Sequence, residues 1–308
     1  MFMSKICQTG ALVAAFVSTV AGHTSVDEFE AGGKTYEGFR QASKQDPGNK
    51  SPAWWTNQGW GYQPVYGDKL SQHVYTTLVD LCHICTNRTS SPDIIAHEDA
   101  SPSPYTAEAP AGSDVTFRWH HEGSCGSDEE GWDCSHHGWT ATYMAPCNGD
   151  CRDVDKTELE FFKIHESALI DYRRGRYSSG EAQGQTGYWG TDAIFYDNGN
   201  SQTVTIPSQI PSGNYVLRTE VVSIHNNGDV SNRQFWPQAF NIKVAGGDDS
   251  APVPAGKKGT ELYNTSDDLL QWDLYWHPAG ETIEVAPGPQ LAAVASIQKR
   301  AHVRDFSA

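Results

Sequence analysis

Short β-rich runs set between Gly, Pro, Asn and Ser, with almost no helical periodicity, constrain this fold more than any other feature of the chain. Such runs occupy 115–119 (VTFRW), 140–145 (TATYMA), 203–206 (TVTI), 215–224 (YVLRTEVVSI) and 240–244 (FNIKV). Their β-branched and aromatic residues suit a pleated, half-buried surface, and their spacing predicts an all-β, immunoglobulin- or fibronectin-like antiparallel β-sandwich with long surface loops. The 308 residues suffice for one large sandwich or at most two small domains. Segments 177–187 and 246–259 read as loops, because strand signals resume after each. The stretch 43–66 has few strand signals but concentrates Trp54, Trp55, Trp60, Tyr62 and Tyr66, and is predicted to be a long surface loop.

The amino terminus has Lys5, an apolar run at 10–20 (GALVAAFVSTV) and the small pair Ala21-Gly22, the three parts of a secretory signal. The run is too short to cross a bilayer, and no later stretch approaches the roughly 20 apolar residues a spanning helix needs. The expected organisation is a signal over 1–22, a sandwich over 23–290 and a polar tail over 291–308 that Lys299-Arg300 could expose to trimming. A secreted, extracellular, monomeric protein follows. Asn87 and Asn264 stand in glycosylation acceptor triplets that suit this route. A net charge of −16 disfavours nucleic acid and anionic membranes as partners, since both recruit clustered cations. With 10 Trp, 13 Tyr and 11 Phe the chain can fill a core, which excludes wholesale disorder.

Once Cys7 leaves with the signal, six cysteines remain: Cys82, Cys85, Cys125, Cys134, Cys147 and Cys151. An even number in an oxidising compartment favours disulfides, with local pairs the simplest arrangement. Cys82-His83-Ile84-Cys85 could instead hold zinc, but no second such pair stands at finger spacing.

Cleavage after Gly22 would make His23 the first residue. Its α-amine and imidazole can then chelate one metal, and a second imidazole would complete a three-nitrogen site suited to copper. Alternatively, His23 is incidental to a cleavage point one or two residues away.

The mature start HTSVDEFEAGGKTYEGFR, GSDVTFRW at 112–119, SHHGWTATYMAPCNGDC at 135–151, FFKIHESALID at 161–171, QTVTIPSQIPSGNYVLRTEVVSIH at 202–225 and RQFWPQAFNIKVAGG at 233–247 follow one another in a recognisable order. GTELYNTSDD at 259–268 and PGP at 287–289 continue it. In these blocks the chain resembles fungal lytic polysaccharide monooxygenases of the cellulose-active type, auxiliary activity family nine. The resemblance implies one copper ion held by His23 and His136, with His137 the neighbour of the second ligand. It puts His225 and Gln234 in the outer sphere, orienting an oxygen species and managing its protons. It further implies an external electron donor, hydrogen peroxide or oxygen as co-substrate, and oxidation of a β-linked polysaccharide at C1, C4 or both.

Several positions depart from the family. Trp236 stands where the family has an axial tyrosine, and an indole has only an N–H donor, so it can shape or block that position but cannot ligate. Ala96 and Ala239 stand where the family usually has a disulfide, whose loss forgoes about 2–4 kcal/mol. Cys147 and Cys151 match a pair that the family retains. An inserted loop at 122–134 adds Cys125 and Cys134, and its Asp128, Glu129 and Glu130 suit either Ca²⁺ or a solvated face. Trp139 follows Gly138 where proline is common.

Flat polysaccharide is bound by rings that stack on sugar faces, and Trp54, Trp55, Trp60 and Tyr62 are the candidate platform, unless they pack beneath their loop as a minor core. The rival function is a copper-binding protein that does not oxidise, serving metal capture or surface interaction. A glycoside hydrolase would need two carboxylates about 5–10 Å apart, and no block here resembles one.

Overall fold

The computed structural model describes residues 23–38, 48, 50–56, 63–70, 72–73, 88–122, 136–171, 186–226, 229–275, 283 and 285–295, with the backbone alone for His23, Gln72, His73, Arg88, Thr89, His121 and Glu122. In chain order the strands are β1 (His23–Ala31), β2 (Lys34–Glu37), β3 (Val65–Tyr66), β4 (Gln72–His73), β5 (Arg88–Thr89), β6 (Ala107–Glu108), β7 (Asp114–Glu122) and β8 (Gly138–Pro146). They continue as β9 (Glu160–Ser167), β10 (Leu169–Asp171), β11 (Tyr188–Trp189), β12 (Ser201–Thr205), β13 (Gly213–Ser223), β14 (Gln234–Val244) and β15 (Lys257–Lys258).

Two sheets form the expected sandwich. One runs β12-β7-β1-β2, the other β15-β9-β8-β13-β14-β3, with β6 added to β14 as a parallel partner. Every other pairing within these two sheets is antiparallel. Between the sheets lie Val26, Phe29, Phe117, Trp119, Leu217, Trp236 and Phe240, all at most 1% exposed. Phe29 stacks on Phe240 at 4.6 Å and on Phe117 at 5.4 Å, which ties β1 to both neighbours; each buried ring contributes about 1.5–3 kcal/mol.

The larger sheet is buried on its second face as well. There Ile94, Ile95, Trp139, Tyr143, Phe161, Trp189, Phe235 and Leu270 form another core beneath the loops. This double burial is why β8 and β13 are buried almost continuously along their length rather than at alternate residues. The strand β14 begins at Gln234 and passes through Pro237. Ala239 O accepts from Trp54 N–H and Asn241 N–H donates to Pro52 O, so odd-numbered backbone groups here face away from β13. The N–H that proline lacks is thus missing on the edge side, where β3 has already ended.

Ala96 and Ala239 line one small cavity. Beside it, Arg218 is fully buried and opposite Ala239 in the ladder. Its Nε donates to Ile95 O at 2.6 Å, and its Nη2 to Ile94 O at 3.0 Å and Glu220 Oε2 at 2.8 Å. The helix Asp93–Ala96 is therefore tied to the sheet through its own carbonyls. Burial opposes the guanidinium charge, and the Glu220 carboxylate overcomes that and holds Arg218 protonated. Tyr143 and Tyr263 hydroxyls donate to the same carboxylate.

Cys147 and Cys151 form a disulfide. Cys82, Cys85, Cys125, Cys134, Asn87 and the acidic loop lie outside the described residues, while Asn264 is exposed. At the start of the expected tail, Leu291 bridges to Lys163, and Ala292 N–H donates to Lys163 O at 2.8 Å. Residues 291–295 are held to β9 by these main-chain bonds. Among the described residues no helix is long and apolar enough to cross a membrane.

Candidate metal centre

The candidate residues come together at one end of the larger sheet. Gly138 opens β8, Ser223 closes β13 and Gln234 opens β14, and the ladder sets these three and Tyr66 of β3 in one row. His136 stands two residues before that row and His225 two after it. Their rings lie 3.9 Å apart with 30° between planes. β1 approaches the same end: Phe29 stacks on Phe240, and nearer its start Val26 N–H donates to Gln238 Oε1 at 3.0 Å. His23 opens β1 opposite Glu122, and its side chain lies outside the described residues.

Sequence spacing cannot separate His136 from His137. Their partners differ. His137 is 1% exposed, and its Nδ1–H donates to both Asp192 oxygens at 2.9 and 3.0 Å, since a carboxylate only accepts. His136 instead faces His225 and the Trp236 ring, the latter at 6.1 Å. His225 shares a 2.6 Å hydrogen bond between its Nδ1 and Ser223 Oγ. Gln234 is 4% exposed, and its Oε1 has no hydrogen-bond partner among the described residues. Such a buried acceptor costs about 1–3 kcal/mol unless a donor arrives, as a bound species would supply.

Trp236 is fully buried between the sheets, its indole packed as core. Gly138 is required for space: a Cβ there would meet Val222 O at 1.9 Å. Imidazole nitrogens suit copper, and of the two expected ligands only the His136 side chain is described; among the described residues no three His, Cys, Asp or Glu side chains stand together as a metal site.

Of the two readings of the platform rings, Trp54 follows the second and packs as core. It is 3% exposed, its Nε1–H donates to Asn241 Oδ1 at 2.7 Å, and a ring so enclosed offers no face to a glycan. Trp55 is half-buried against the inter-sheet core. Trp60 and Tyr62 lie outside the described residues. The exposed aromatic in the row of Gln234 is Tyr66, at 42% exposure.

Sequence reasoning also missed the groups that brace the centre. Arg233, immediately before Gln234, donates to Ile224 O and, at 2.9 Å, to Asn226 O, gripping the chain on both sides of His225. It further donates to Leu270 O at 3.1 Å and Trp272 O at 2.7 Å. Asp192 and Thr191 sit in the turn Gly190–Asp192, which runs into a π turn at Ala193–Asp197. Such π turns are rare and often mark functional sites, but no sequence pattern announces this one.

The model of Auxiliary Activity family 9 (formerly GH61) matches residues 23–282. An "AA9 family lytic polysaccharide monooxygenase E" of Aspergillus tamarii is 36% identical, covering 94% of this chain and 99% of its own length. Monooxygenase B of the same family from Aspergillus fumigatus is likewise 36% identical, at the same coverage of both chains. Among solved structures, the extended catalytic domain of H. jecorina LPMO9A superposes with a TM-score of 0.66 at 28% identity, over 88% of this chain and 91% of that one.

Proposed function

The chain belongs to Auxiliary Activity family 9, a family of polysaccharide monooxygenases, and from that premise we propose a secreted copper oxidoreductase that cleaves β-linked glycans, cellulose or hemicellulose, at C1 or C4. Removal of residues 1–22 would free the amine of His23, which with its own imidazole and that of His136 would hold one copper ion. The family match starts at His23, which supports that boundary. Bound copper, with an external electron donor and hydrogen peroxide or oxygen, supplies the oxidising power that hydroxylates a sugar carbon.

The chain's own groups do the rest. His136, whose ring packs against that of His225, is taken as the imidazole at the centre, while its neighbour His137 donates its Nδ1–H to Asp192. His225, fixed by Ser223, has a second ring nitrogen with which to hold or pass a proton. Gln234 offers a buried amide oxygen as acceptor. Trp236 sets a buried apolar ring 6.1 Å from that of His136. Tyr66 offers an exposed ring to a sugar face.

The observation that carries this reading is the meeting of His136, His225 and Gln234 at the end of the sheet that β1 approaches with His23. The test uses secreted, copper-loaded protein with reductant and peroxide on cellulose, xylan and mixed glucan. Mass spectrometry should find oxidised oligosaccharides and a protein that starts at His23. Bound copper without any oxidised sugar would favour the non-oxidising copper protein instead. A different mature start would remove the chelate.

A further inference from the structure

His136 makes its approach to the centre from a chain segment whose next two residues are clamped from outside the sheet. The His137 ring is held by Asp192, at 2.9 and 3.0 Å. Gly138 is held by the Thr191 hydroxyl, which accepts from its N–H at 3.0 Å and donates to its carbonyl at 3.2 Å. His137 O accepts from Ile224 N–H at 2.9 Å, so the same segment is tied to the residue preceding His225. The clamp itself is rigid. Asp192 Oδ2 also accepts from Trp189 N–H at 2.8 Å, Gly190 N–H donates to Ala168 O at 2.8 Å, and a Cβ on Gly190 would meet Ser167 O at 2.2 Å. Asp192, Thr191 and His137 are each at most 1% exposed.

We infer that Asp192, with Thr191, is a positioning residue for the metal centre: it locks the 136–138 backbone through His137 and Gly138, and so sets where the His136 ring presents its nitrogen. The inference rests on His136 being a copper ligand. Both carboxylate oxygens of Asp192 face donors, Oδ1 the His137 ring and Oδ2 the ring and Trp189 N–H, so neither place suits an NH₂ group. In Asp192→Asn one side would place an NH₂ against either His137 Nδ1–H or Trp189 N–H. Outer partners that orient ligands typically change metal affinity by about 10–100-fold when removed.

The experiment is calorimetric titration of the secreted protein with Cu(II) alone, together with electron paramagnetic resonance of the copper-loaded forms. Wild type should bind tightly and His136→Ala should not. Asp192→Asn should bind about tenfold or more weakly, with altered copper hyperfine splitting. Thr191→Val should weaken binding in the same sense, and Thr191→Ser, which keeps the hydroxyl, should restore both readouts. If Asp192→Asn fails to fold, the Thr191 pair decides. Wild-type affinity and spectrum in Asp192→Asn and Thr191→Val, with binding lost in His136→Ala, would overturn the positioning role while leaving the ligand reading intact. Undiminished binding in His136→Ala would overturn the ligand reading itself.

Discussion

The rings of His136 and His225 pack 3.9 Å apart although one precedes β8 and the other follows β13. The contact exists because Gly138 and Ser223 pair directly in the ladder and each histidine lies two residues beyond the pair. Neither ring can move far without the other, so the proposed ligand and the proposed outer-sphere group share one placement.

That sharing separates their roles by experiment. His225→Ala should retain copper uptake and lose about 100-fold or more in glycan oxidation, the range expected for a positioned proton-transfer group. Titration and product quantification on the same preparation check this. Loss of copper uptake would move His225 into the ligand set.

Arg218 and Glu220 are a fully buried pair, and removing one partner strands the other. Arg218→Met should destabilise the fold by about 3–5 kcal/mol in urea unfolding, because Glu220 and the Ile94 and Ile95 carbonyls lose their donor. Arg218→Met with Glu220→Leu should recover a large part of it. A separate prediction concerns the cavity that Ala96 and Ala239 share: cysteines at both positions should crosslink, and the oxidised form should gain about 2–4 kcal/mol over the reduced one.

His97 is buried, accepts Glu98 N–H on Nδ1 at 2.9 Å, and is bonded through Nε2 to Gln63 O at 2.7 Å. A carbonyl only accepts, so the proton sits on Nε2 and the ring is neutral. Burial lowers its affinity for a second proton, against smaller opposing effects from the Gln63 bond and Asp93. The unfolded chain takes up that proton more readily than the native one. Its contribution is therefore fully present above the ordinary histidine value of 6.5 and is lost as pH falls below it toward the depressed native value. Urea midpoints between pH 7 and pH 5 should fall more steeply for wild type than for His97→Gln. Parallel slopes would refute this.

Trp236 is core before it is anything else. Trp236→Ala should cost about 3–5 kcal/mol through the cavity it leaves, measured by chemical denaturation. Trp236→Phe should fold and bind copper, since neither ring supplies a ligand. If Trp236→Ala is as stable as wild type, the indole is not packed as described.

Tyr66 is the exposed ring in the row of Gln234. Tyr66→Ala should weaken pull-down on cellulose by about fivefold, corresponding to about 1 kcal/mol of stacking, without changing copper uptake. Unchanged binding would shift the platform to other residues.

The strand runs at 115–119, 140–145 and 215–224 all fall substantially on strands, because burial of β-branched residues leaves a local signature. The start of β14 did not, because Pro237 signals a break that the edge geometry removes. Trp54 could not be assigned from its neighbours either. Its ring is buried by a bond to Asn241, a partner remote in sequence.

Composition and local pattern were enough to determine the sandwich class, the secretory leader as an expectation, and the family blocks that carry His23, His136, His225 and Gln234. Those properties are written in consecutive residues. The different partners of His136 and His137, the burial of Trp54, the packing of Trp236 and the clamp by Asp192 came only from the tertiary structure. Each depends on which distant group occupies the other side of a contact, and strand register, unlike residue type, is a property of the assembled sheet.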